Sequence, residues 1–142
     1  MVPDKNDKQL LVLFRNAHEI ASGRNKRSKE REKEAQAVIE AIEKEWLARL
    51  KLAEKGRYKS SLPNIGMLKT LGYSVGNDGE PKKHRQAILR ILFESELPMV
   101  GSPAYTFQWG RPKSKKRFEK LQRTLQSFIK NADPDWEKAI VD

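Results

Sequence analysis

The sequence predicts an all-α protein, an N-terminal helical hairpin followed by a compact multi-helix module. Three observations carry that expectation. Apolar residues recur at spacings of three and four, and alternating apolar–polar runs are scarce. Glycine and proline gather between the periodic segments. Side chains able to cap helices stand where several of the segments begin. A chain of 142 residues is long enough for one domain with a modest core.

The first helix is expected over 7–21, where Leu10, Leu13, Phe14, Ala17, Ile20 and Ala21 form one apolar face. Ser22-Gly23 supplies a stop. A charge-dense run over 24–34 leads into a longer stripe, Ala35, Val38, Ile39, Ile42, Trp46, Leu47, Leu50 and Ala53, which ends near Gly56. The repeat spans too few heptads for a coiled coil. Arg57-Tyr58-Lys59-Ser60-Ser61 reads as a linker, with Tyr58 its exposed aromatic. The expected organisation is therefore a hairpin over 1–56 and a basic helical module over 57–142.

The module is expected to open with a helix over 62–71, capped by Ser61 and stopped at Gly72. Glycines at 72, 76 and 79 argue against regular structure before Pro81, which suits the first position of a helix. That helix carries Ile88, Leu89, Ile91, Leu92 and Phe93 and ends before Pro98. Ser102-Pro103 starts a short helix that stops at Gly110. Ser114 caps the next, expected over 114–131, in which Phe118, Leu121, Leu125, Phe128 and Ile129 recur at helical spacing. Asp133-Pro134-Asp135 begins a last helix with Trp136 and Ile140.

Twenty-nine lysines and arginines against 19 acids give a net charge of +10, which favours a polyanionic partner. No cysteine is present, so disulfides, thiol nucleophiles and cysteine zinc sites are excluded. The longest apolar run, Leu10-Leu11-Val12-Leu13-Phe14, is far short of the ~20 residues that span a bilayer. The charged start lacks a signal-peptide pattern. A cytoplasmic protein with no membrane partner is the expectation.

The most informative stretch surrounds Ser114. A helix N-terminus carries partial positive charge, which acidic side chains relieve and basic ones oppose. Here Lys115, Lys116 and Arg117 crowd the first turn, Arg111 and Lys113 precede it, and Lys120 and Arg123 follow, with Glu119 the one acid from Arg111 to Arg123. An external phosphate would relieve these charges together. A second basic helix start follows Pro81, with Lys82, Lys83 and Arg85. These ten cations are the candidate nucleic-acid contacts.

The other constellations read as structural. His18 and His84 are expected on the surface, and Tyr73, Tyr105, Phe107 and Trp109 as packing anchors. Glu80-x-Lys82 is a poor nuclease motif, because Pro81 and the nearby glycines disfavour the strand it requires. The chain holds no His-Glu-x-x-His, no Gly-x-Ser-x-Gly, no P-loop and no calcium loop. No catalytic residue, metal site or cofactor is expected.

From Leu71 onward the order of short signatures is distinctive: Leu71-Gly72-Tyr73-Ser74-Val75-Gly76, then the run from Ile88 to Glu94 with Glu96-Leu97-Pro98. Trp109-Gly110-Arg111-Pro112 with Ser114 and Arg117 follows, then Ile129-Lys130-Asn131-Ala132. This half of the chain resembles a small helical domain of uncharacterised bacterial proteins. The resemblance implies a helical fold, and a longer helix after Trp136 than this chain has. It implies no activity.

Together these observations predict a non-catalytic nucleic-acid-binding accessory protein that contacts phosphates, of DNA rather than RNA, with weak sequence selectivity. The loop between the helices expected at 62–71 and 82–94 is too long for a helix-turn-helix. The alternative is an adaptor subunit that docks on a protein partner, or on a second copy of itself, through Val38, Ile42, Trp46 and Leu50 of the long N-terminal helix.

Overall fold

Asn6 and Gln9 open the chain's first helix reciprocally: the Gln9 amide donates to Asn6 Oδ1 (2.8 Å) and the Asn6 amide to Gln9 Oε1 (2.9 Å). This capping box satisfies two of the amides that a helix start leaves unpaired. The computed structural model of the protein describes residues 2–22, 28–73 and 82–128. They form a 3-10 turn, Val2–Asp4, and six α-helices: α1 Asp7–Ala21, α2 Lys29–Glu54, α3 Met67–Thr70, α4 Lys82–Glu94, α5 Pro103–Gln108 and α6 Lys115–Phe128. No strand occurs among the described residues. The fold is all-α. The cations expected at 24–27, the glycine-rich stretch with Glu80, and the last helix from Asp133 lie outside the described residues.

The chain divides into two compact units, Met1–Leu62 and Pro63–Asp142. In the first, α1 and α2 pack as an antiparallel hairpin. Ser28 caps α2, accepting from the Arg31 amide, and Glu30 and Glu32 in the first turn complement the helix dipole. Leu10, Phe14 and Ala17 of α1 face Ala35, Ile39, Ile42 and Trp46 of α2, all buried, and the Phe14 and Trp46 rings lie 4.6 Å apart. Ile42 and Trp46 are thus part of the hairpin's own core, which removes half of the stripe expected to dock on a partner.

The segment after α2 is not a loose linker. Asp7, 5% exposed, accepts from the Ser61 amide (2.8 Å), from Ser61 Oγ (3.1 Å) and from the Tyr58 hydroxyl (2.6 Å). Arg49 Nη1 donates to the same carboxylate at 3.0 Å, and Arg49 Nε donates to Glu45 Oε2 at 2.7 Å. Arg49 Nη2 donates to the Lys5 carbonyl. Residues 57–61 are therefore tied back to the start of α1, and the boundary between units falls after Leu62 rather than at Gly56. Tyr58 is half-buried instead of exposed.

This network orders its own charges. Burial would raise the Asp7 carboxyl, but the bonds from Ser61, Tyr58 and Arg49 outweigh it and hold its pKa below the ordinary value. Burial opposes the Arg49 charge, yet Glu45 and Asp7 raise its pKa above the usual arginine value. The Tyr58 hydroxyl is pushed up to about 12 by burial and by its donation to Asp7.

In the second unit, the helix expected over 62–71 shrinks to α3. Pro63 accepts from the Ile65 amide in a tight turn, and Gly66 has φ +90°, a left-handed conformation that a helix does not pass through. Gly66 offers no side chain to cap α3, and the Tyr105 hydroxyl accepts from the Met67 amide instead (3.0 Å). Ser102 caps α5 with Pro103 at its first position. The core of this unit is Met67, Leu68, Leu71, Tyr73, Leu89, Leu92, Leu97, Met99, Val100, Trp109, Leu121 and Leu125.

Candidate nucleic-acid interface

Ser114 caps α6 as expected: the Arg117 amide donates to Ser114 Oγ (3.1 Å), and that hydroxyl donates to the Arg111 carbonyl (2.7 Å). The turn before it is tightly specified. Gly110 has φ +66° and Lys113 has φ +62°. The Lys113 amide donates to the Phe93 carbonyl at 2.8 Å, which pins this turn to the end of α4. A Cβ on Gly110 would lie 3.1 Å from the aliphatic carbons of Lys116, so the Lys116 stem runs across the Gly110 backbone.

The candidate cations divide sharply. Arg111, Lys113, Lys115, Lys116 and Arg123 are exposed and Lys120 is half-buried. Lys115 lies 3.9 Å from Glu119 with both side chains well exposed, a geometry that contributes little. Lys120 Nζ donates to Gln108 Oε1 (3.1 Å) and stands over the Tyr105 and Trp109 rings at 5.6 and 5.7 Å. These contacts bring the end of α5 beside the basic face of α6.

Arg117 corrects the expectation. It is 1% exposed, and its guanidinium donates to five carbonyls: Trp109 (2.8 Å), Leu92 (2.6 Å), Phe93 (3.5 Å), Ser95 (2.7 Å) and Gly110 (2.9 Å). Leu92 and Phe93 lie in the last turn of α4, Ser95 just beyond it, and Trp109 and Gly110 directly after α5. Helix C-termini leave carbonyls without partners and carry partial negative charge. A planar fork with five donors meets both needs at both ends. Burial pulls the Arg117 pKa down to about 10, with the charge of Glu96 opposing, so it remains a cation at neutral pH. One of the three charges that oppose the α6 dipole is therefore held by carbonyls inside the protein and is turned away from any external phosphate.

The second basic start stands apart from the first. Lys83 is exposed and Arg85 half-buried, with Arg85 Nε inside the protein; Lys82 opens α4. Arg117 meets the opposite end of that helix, so the two basic starts are separated along α4 by about 15 Å at 1.5 Å per residue. The fold gathers Arg111, Lys113, Lys116 and Lys120 around one turn and leaves Lys82, Lys83 and Arg85 at a distance.

The aromatics sort with equal clarity. Trp109 is fully buried, and Tyr105 is half-buried with its hydroxyl engaged. Phe107, expected in the core, is 44% exposed. Among the described residues no group of acidic, histidine or cysteine side chains could hold a metal ion, and no helix is long and apolar enough to cross a membrane. Compared with known protein families, with curated proteins and with solved structures, the chain matches none.

Proposed function

We propose that this protein binds nucleic acid, DNA rather than RNA, as a non-catalytic accessory factor that contacts phosphates through the turn before α6 and the exposed face of that helix. The observation that carries the reading is the strong excess of positive charge on this surface. Arg111, Lys113, Lys115, Lys116 and Arg123 are exposed with Lys120 beside them, and Glu119 is the one acid from Arg111 to Arg123. Cations of this kind gain affinity by releasing counterions from a phosphate backbone. Arg111, Lys113 and Lys116 also project from a turn whose backbone is fixed by Ser114 and Phe93, which limits the ordering cost of a contact.

The test is binding to duplex DNA, single-stranded DNA and RNA at several salt concentrations. Replacing Lys113, Lys116 and Lys120 with Ala should weaken binding. On duplex DNA the slope of log affinity against log salt should fall by about 0.9 for each phosphate no longer neutralised. Arg117 is left intact in that variant, since its removal would damage the fold. An unchanged slope with an unchanged circular dichroism spectrum would refute the assignment of this surface.

The adaptor reading has an observation of its own. Lys5, Lys8, Gln9, Val12, Leu13 and Asn16 form a shallow, open surface along α1, and Val12 is 58% exposed. Docking there would be apolar in part and would persist in salt that abolishes phosphate binding.

A further inference from the structure

We infer that Lys120 is a pre-set anchor for one backbone phosphate and that Gln108 is the residue that positions it; this rests on the phosphate reading above and names how that same site holds its ligand. Lys120 Nζ donates to Gln108 Oε1 at 3.1 Å and stands over the Tyr105 and Trp109 rings at 5.6 and 5.7 Å. Those rings are themselves fixed. The Tyr105 hydroxyl accepts from the Met67 amide at 3.0 Å, Trp109 is fully buried, and the two rings meet edge to face with centroids 6.5 Å apart. Every one of these contacts to the ammonium is neutral. A carboxylate would also hold a lysine in place, but it would cancel the charge that a phosphate needs. Lys115 shows the contrast: its side chain is 89% exposed, and its partner at 3.9 Å is the carboxylate of Glu119. An amide oxygen and two ring faces fix Lys120 and leave its full charge. An ammonium carries three donors, and Gln108 takes one of them. Lys120 is also half-buried, and thinner hydration strengthens its attraction for an anion. The lysine is thus ordered before the ligand arrives, so binding need not immobilise it.

The experiment titrates the full-length protein and its variants into a fluorescein-labelled hairpin duplex of DNA at several salt concentrations. Lys120→Met keeps the stem against the rings and removes the charge; it should lower the slope of log affinity against log salt by about 0.9. Gln108 is exposed, so Gln108→Ala leaves the fold intact. It should weaken binding by roughly two- to tenfold, the range for one side chain newly ordered on binding, with the slope unchanged because the same phosphates are neutralised. Gln108→Glu puts a carboxylate against the ammonium and should lower the slope as Lys120→Met does. The double variant of Lys120→Met and Gln108→Ala should bind as Lys120→Met alone. A Gln108→Ala loss that persists undiminished in the Lys120→Met background would overturn the positioning role, because Gln108 would then act without Lys120. Unchanged affinity in Gln108→Ala would overturn it as well. An unchanged slope in Lys120→Met, with binding intact, would overturn the anchor and leave the other cations as the phosphate contacts. Failure of the parent to bind at low salt would overturn the phosphate reading itself.

Discussion

Among the described residues each unit buries one arginine, and the two are stabilised by opposite means. Arg49, in the first unit, faces the carboxylates of Asp7 and Glu45, and its pKa is raised. Arg117, in the second, donates to five backbone carbonyls, and its pKa falls to about 10. A full opposing charge can be removed by protonation, whereas a carbonyl dipole cannot. The first cation is therefore matched by charge, and the second by geometry, since five fixed acceptors require a fixed fork.

The largest effect should come from deleting the fork. Arg117→Ala should destabilise the protein by about 4 kcal/mol, because it leaves buried carbonyls unpaired and opens a cavity; urea unfolding measures it. A sharper contrast comes from lysine, which keeps the charge and loses the geometry. Arg117→Lys should still cost about 2–3 kcal/mol, and Arg49→Lys about 1 kcal/mol, since an ammonium satisfies a carboxylate better than it spans five carbonyls. Equal losses at the two sites would break the distinction.

Acid separates the sites next. The folded pKa of Asp7 lies below its ordinary value, so its contribution is complete above the ordinary carboxylate range and is lost as pH falls through the folded value. His18 adds a window above that one. Burial lowers its pKa to about 4 from 6.5, so the unfolded chain takes up a proton that the fold refuses. Stability from this source is complete above pH 6.5 and declines as pH falls towards 4, by about 2 kcal/mol after allowance for partial exposure. His18→Gln should flatten the upper window alone. Amide exchange against pH should show α1 and α2 losing protection first, while the surroundings of Arg117 hold. Loss of protection around Arg117 at the same pH would show that its compensation is not made of carbonyls alone.

The smallest effect concerns the cations left outside. Lys116→Glu should raise stability by roughly 0.3–1 kcal/mol at low salt, because it places negative charge in the first turn of α6. It should also weaken nucleic-acid binding. A lower melting temperature would show that the Lys116 stem over Gly110 contributes more than its charge costs.

Periodicity and caps make much of the fold legible. The expected span of the first helix coincides with α1, and Ser102, Pro103 and Ser114 start helices where expected. The failures share one cause. Asp7 stands in register with Leu10, Phe14 and Ala17, Arg49 with Ile42 and Trp46, and Arg117 with Leu121 and Leu125. Each charge lies on a core stripe; taking Arg117 for an outward-facing phosphate contact ignores that register, and the same register at Asp7 and Arg49 is the sign that the segment after α2 is tied down. The signal is present: a charged residue in phase with buried neighbours must find partners inside. Many of those partners lie 22 to 54 positions away in the chain, where no local pattern specifies them. The exposure of Phe107 is equally hidden, because a six-residue helix is too short for periodicity to assign its faces.

The grip of Arg117 on two helix ends also bears on how the second unit comes apart. Terminal turns ordinarily fray independently, each opening at little cost to the rest. Here the last turn of α4, the chain leaving α5 and the first turn of α6 share one side chain. Opening any of them withdraws donors from the other two, so the three ends should open as one event, with a common exchange rate where separate helices would show three.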